Sequence, residues 1–212
     1  MALQLELVKG QKQTLQLGLS KNNEYLVKLF WDSRHDLDVH AVAITDENGV
    51  RTIKGDASRL LSTYNPACVL TSNPSQNIQA GESQPFELPQ GYIKHTGDVR
   101  STSSMSQEPE EELVVVLNKV PEDVNQIGFL VTIDPQNLPS TPNTTTFSQV
   151  KNAKMQITEA NGDVLLEAKL TEDFVDSNVV YLGAVVKNGL TWNFSASPEG
   201  IFGTLNDFLA TL

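Results

Sequence analysis

Three carboxylates, Asp36, Asp38 and Asp98, are the groups of this chain best suited to chemistry, and that chemistry is cation binding. Asp36-Leu37-Asp38 closes the segment Trp31-Asp-Ser-Arg-His-Asp-Leu-Asp38, inside an alternating, strand-like run. Strand side chains repeat with period two, so the spacing predicts both carboxylates on one face. Like charges held that close repel each other, and a cation offsets the repulsion. Asp98 ends His95-Thr-Gly-Asp98, a Gly-containing turn. This supply of oxygens suits a hard ion such as Ca²⁺, which takes roughly six to eight oxygen ligands.

Other chemistries find less support. The chain has no Gly-x-Ser-x-Gly elbow, Walker loop, Gly-x-Gly-x-x-Gly or His-Glu-x-x-His, so the expectation is a binding protein rather than an enzyme. His35 and His40 stand five apart, on opposite faces of a strand, which argues against a zinc pair. His95 reads as an organiser of its turn through hydrogen bonds. Cys68 is the only cysteine, which excludes an intrachain disulfide and a thiolate zinc site. It sits in a Pro-flanked segment without a basic neighbour, so its thiol reads as unreactive. Trp31 and Trp192 read as core aromatics, and the Glu108–Glu112 run as a solvated loop.

The elements that must position these groups are strands. Leu3, Leu5 and Leu7 alternate with polar residues, as do Leu15, Leu17 and Leu19, with a turn at Lys9-Gly10. Tyr25–Trp31 is apolar on both faces and reads as a central strand. Leu37–Thr45 follows, with Leu37, Val39, Ala41 and Ala43 on one face. Short apolar or alternating runs recur at Leu113–Leu117, Ile127–Ile133, Met155–Thr158, Val164–Leu170, Val179–Val186 and Leu190–Phe194. Asn48-Gly49, Asn161-Gly162 and Asn188-Gly189 each fall between two runs and predict hairpins, because Asn and Gly tolerate positive φ. Helical signals are confined to a short segment at Thr146–Asn152, capped by Thr145 or Thr146, and to the C-terminus, where Leu205, Phe208, Leu209 and Leu212 follow a Thr204 cap. Residues 65–90 and 101–112 read as loops, the first Pro-rich, the second Ser-rich and then acidic. The fold class expected is all-β: one domain over residues 1–212, a sandwich or barrel of mostly antiparallel strands with a short internal helix and a C-terminal helix.

A formal net charge of −11 argues against nucleic acid and anionic membranes as partners, since both require Lys and Arg. No apolar run approaches the roughly 18–20 residues that span a bilayer, and Met1–Glu6 lacks the basic and apolar regions of a signal peptide. A cytoplasmic protein acting through protein partners or self-assembly is the expectation.

Several short motifs in order resemble the TerD family, the tellurium-resistance and stress-response domain. Leu29-Phe-Trp-Asp32 resembles a strand ending in Gly-Trp-Asp, and Asp36-Leu-Asp38 the end of an Asp-x-Asp-x-Asp motif. Tyr64-Asn65 resembles Phe-Tyr-Asn. His95-Thr-Gly-Asp98 with Arg100 resembles His-Thr-Gly-Asp-Asn-Arg. Phe147-Ser-Gln-Val150 with Asn152-Ala153 resembles Phe-x-x-Val-x-Asn-Ala. The resemblance implies a β-sandwich that binds Ca²⁺ through acidic loops, with Asp36, Asp38 and Asp98 at ligand positions and Glu110 and Glu111 near a further acidic stretch. Arg34 stands where the family has an aspartate, and Val99 where it has an asparagine. The expectation is therefore at most one Ca²⁺ site, or a site already lost, in a domain of tellurite resistance or general stress response. The alternative is a structural or assembly subunit of a larger bacterial or phage particle that reuses the fold.

Overall fold

The computed structural model describes residues 2–32, 35–48, 50–53, 57–79, 81–97, 111–133, 145–170 and 172–212. Sixteen strands follow in chain order: β1 (Leu3–Leu7), β2 (Gln13–Ser20), β3 (Glu24–Asp32), β4 (Leu37–Glu47), β5 (Val50–Thr52), β6 (Leu60–Leu61), β7 (Val69–Leu70), β8 (Asn73–Asn77), β9 (Phe86–Glu87), β10 (Ile93–His95), β11 (Glu111–Val116), β12 (Gln126–Ile133), β13 (Lys151–Glu159), β14 (Val164–Leu170), β15 (Val179–Asn188) and β16 (Thr191–Ile201). A short helix, α1 (Leu205–Leu209), ends the chain.

Two sheets pack face to face. One has the order β1-β14-β13-β3-β11-β10-β9-β7-β8, the other β2-β16-β15-β12-β4-β5, with β6 also on β4. Among the described residues all ladders run antiparallel except β1–β14. β3 sits between β13 and β11 in the middle of the larger sheet, as its apolar sequence requires. On β4 the residues Leu37, Val39, Ala41 and Ala43 enter the core between the sheets, together with Trp31 and Trp192. Val42 and Ile44 point to the opposite, outer face, where Leu205, Phe208 and Leu209 of α1 cover them. Thr204 caps α1: its hydroxyl accepts from the Asp207 N–H, and the Asp207 carboxylate accepts the Thr204 N–H in return, which satisfies two donors that a helix start leaves open.

The Asn-Gly hairpins form as expected. Glu47 pairs with Val50 around Asn48, Thr158 with Val164 around Asn161-Gly162, and Asn188 with Thr191 around Gly189.

Three expectations change. Lys9-Gly10 is a turn, but the strands it joins separate: β1 pairs with β14 and β2 with β16. Within residues 65–90 lie β7, β8 and β9, which extend the edge of the larger sheet through β10. Polar, Pro-containing β8 is exposed along its length, a composition that discourages further pairing at an edge. The segment around Thr146–Asn152 makes only a 3₁₀ turn, Phe147–Gln149, without a side-chain cap. Lys151 already pairs with Asp32 as β13 begins, and an isolated turn has no length over which to recover its nucleation cost.

A candidate metal centre where the two sheets meet

Asp38 and Glu111 lie where the β11 end of the larger sheet meets β4 of the smaller. β4 begins at Leu37, so the period-two argument reaches Asp38 and stops short of Asp36. Asp36 is partly buried in the connection before the strand. Trp31 pins that connection by donating its indole N–H to the His35 carbonyl, 3.0 Å away. Asp38 lies on the outer face of β4 and is 2% exposed. Its Oδ1 accepts a hydrogen bond from the Thr63 hydroxyl at 3.3 Å.

Glu111 departs from the solvated loop expected of it. It is the first residue of β11, opposite Leu29 of β3, and is 1% exposed. Glu112, the next residue, turns the other way and faces Lys28 at 3.4 Å. The Glu111 carboxylate reaches across to β4, where Oε2 accepts the Val39 N–H at 2.5 Å. β6 pairs with β4 only at Ala41 and Val42, so the Val39 amide lies beyond the end of that ladder and the carboxylate takes its place.

His95 stands beside Glu111. Its Nδ1 accepts the Gly97 N–H at 3.1 Å, which puts the proton of a neutral ring on Nε2. Nε2 lies 3.6 Å from Glu111 Oε2. The ring stacks on Phe86, centroids 4.7 Å apart. His95 therefore organises its turn, as read from the sequence. Gly97 has φ +119, and a Cβ there would stand 2.6 Å from the Ser83 carbonyl oxygen, so only glycine fits this turn.

On the outer face of β4, two places beyond Asp38, His40 is fully buried and its Nε2 lies 2.9 Å from the Thr132 hydroxyl of β12. Burial, helped by the nearby His95, pushes its pKa down to about 3, so the ring is neutral. Sequence reading did not single out this His40–Thr132 pair or the Thr63 hydroxyl. No local signal marks them, because the pairs join residues 92 and 25 positions apart.

Asp38 and Glu111 are thus brought to the same junction, with Asp36 just before it. Asp98, Glu110, Arg34 and Val99 lie outside the described residues. Among the described residues no group of three or more His, Cys, Asp or Glu side chains converges as metal ligands. The donors present are oxygens, His95 Nδ1 is taken by Gly97, and Cys68 is buried elsewhere with its thiol pushed up to about 11. This donor set suits a hard cation and not zinc.

The family description "TerD domain" matches residues 84–211. The chain belongs to the TerD family. It is 28% identical to General stress protein 16U of Bacillus subtilis (strain 168), over 95% of this chain and 93% of that protein. It is 27% identical to the Tellurium resistance protein TerD of Serratia marcescens, over 96% and 94%. In three dimensions it is similar to a crystal structure of a TerD homologue from Streptomyces coelicolor A3(2), with a TM-score of 0.57, 16% identity and coverage of 88% of this chain and 95% of the other. That likeness extends the TerD fold to nearly the whole chain, residues before the family match included. No helix among the described residues is long and apolar enough to cross a membrane.

Proposed function

We propose that this TerD-family chain is a non-enzymatic binding domain of tellurium resistance or the general stress response, and that it holds a single Ca²⁺ at the junction of its sheets. The observation that carries the metal reading is the burial of two carboxylates, Asp38 and Glu111, at one junction in a chain of net charge −11. Burying anions costs free energy that a cation returns. The roles divide between them. Glu111 fixes the junction by accepting the β4 amide, and Asp36 and Asp38, with Asp98 and Glu110, supply oxygen to the ion. The bound ion stiffens the loops that present the surface to protein partners. Conditions inside the cell, and a cytoplasmic location, fit the single buried cysteine and the acidic surface.

Calorimetric titration with CaCl₂, paired with thermal melts in Ca²⁺ and in EGTA, tests the reading. Heat with a stoichiometry of one, and a melting temperature that rises with Ca²⁺, are expected. Asp38→Asn removes both while leaving the melt in EGTA nearly unchanged. Glu111→Gln lowers the melt in EGTA as well, because its carboxylate serves the fold with or without metal. Absence of heat together with identical melts in Ca²⁺ and EGTA rules the metal reading out.

A further inference from the structure

The outer face of the seven-stranded sheet carries a second concave site, away from the acidic junction. Thr132, beside His40, and Gln126, at the rim of the concavity, are six residues apart on β12, about 20 Å along a strand. The concavity encloses about 280 Å³, the size for a small polar molecule.

Its lining divides by chemistry. Arg51 and Lys187 bring two positive charges into a chain of net charge −11, and neither forms an ion pair with a described residue. Asp46 pairs with Arg51 across the strands, and its Oδ2 accepts from Gln126 Nε2 at 2.8 Å. On the β16 and β2 side the lining is neutral: Asn193, Ser195 and Thr14. Asn193 Oδ1 accepts the Gly18 N–H at 3.0 Å, leaving its amide hydrogens for another partner.

Tyr181 joins the two sides. Its residue is 1% exposed, its ring stacks on Phe208 of α1, and Gly128 beneath leaves no room for a Cβ against that ring. The hydroxyl approaches Ser197 without reaching hydrogen-bond geometry and has no hydrogen-bond partner among the described residues. A buried phenol held by packing and left unsatisfied is an unusual cost for a folded protein, and a ligand oxygen would remove it. Glu199 stands across from Tyr181 in register but is exposed. Arg51 lines the same concavity from β5.

We propose that this basin binds a small phosphorylated, hydroxyl-rich molecule, its phosphate held by Arg51 and Lys187 and its hydroxyls by Tyr181, Asn193 and Ser195. A guanidinium and an ammonium together match a phosphate dianion, and the amide and hydroxyl groups match a polyol.

Titration of ¹⁵N-labelled protein with ribose 5-phosphate, ribose and inorganic phosphate tests it. Ribose 5-phosphate is expected to shift the amides of β5, β15 and β16 saturably, and to bind more tightly than either fragment. Arg51→Gln and Tyr181→Phe are each expected to weaken it by about tenfold. Because the phenol oxygen has no partner, Tyr181→Phe leaves the melting temperature unchanged or raises it, which separates lost binding from lost folding. No shift with any probe, or affinity untouched by both substitutions, overturns the proposal. Phosphate binding as tightly as ribose 5-phosphate overturns the polyol half, and ribose doing so overturns the phosphate half. Ca²⁺ plays no part in this binding, so its outcome is independent of the metal reading.

Discussion

His40 gives the chain a built-in sensitivity to acid whose size follows from its surroundings. The ring is neutral in the folded protein, held so by burial first and by the nearby His95 second, with a pKa of about 3 against 6.5 when exposed. Below pH 6.5 the unfolded chain takes up a proton that the folded chain refuses, so stability is complete above that value and falls as the pH drops toward 3. Each pH unit in that window removes about 1.4 kcal/mol, giving about 2 kcal/mol at pH 5 and about 3 kcal/mol at pH 4, with a limit near ~5 kcal/mol. Against a total stability on the order of 5–15 kcal/mol, this is a large share. His40→Gln keeps a group able to hydrogen-bond the Thr132 hydroxyl but never charges. Urea unfolding of both proteins at pH 7, 6, 5 and 4 isolates the effect, since the carboxylates cancel in the difference. The stability advantage of the wild-type protein over the variant should shrink by the amounts above as pH falls. A difference that stays constant with pH, or a His40 imidazole that titrates near 6.5 by NMR in the folded protein, would refute the reasoning.

Two further outcomes follow from local geometry. Gly97→Ala places a Cβ 2.6 Å from the Ser83 carbonyl at φ +119 and should cost about 3 kcal/mol or more in urea unfolding. Gly10→Ala, at φ +77 with open space around it, should cost only about 1–2 kcal/mol; equal losses would show that the contact with Ser83 is unimportant. Cys68, buried with its thiol pushed up to about 11, should stay inert to a disulfide reagent at pH 8 until urea unfolds the chain and one thiol per molecule reacts. Prompt reaction of the native protein would contradict its burial.

Sequence alone determined the local alphabet of this protein. Period-two apolar runs fixed most of the strands and which side of each is buried, as in Leu37, Val39, Ala41 and Ala43. Asn-Gly pairs fixed three hairpins, and the Thr204 cap with its apolar spacing fixed the terminal helix. The order of short motifs identified the family. Tertiary structure decided who meets whom. Alternation records which face a residue occupies but not which strand lies beside it, so β1 and β2 could join different sheets across a turn. Three short stretches within residues 65–90 became strands because an open sheet edge was available to pair with, a fact absent from their Pro-rich composition. Glu111 left the acidic run to seal β4 because the Val39 amide, 72 residues away, lay past the end of the β6 ladder. The basin around Tyr181 draws on β2, β5, β12, β15 and β16. No stretch of sequence contains it, because it exists only where the faces of separate strands come side by side.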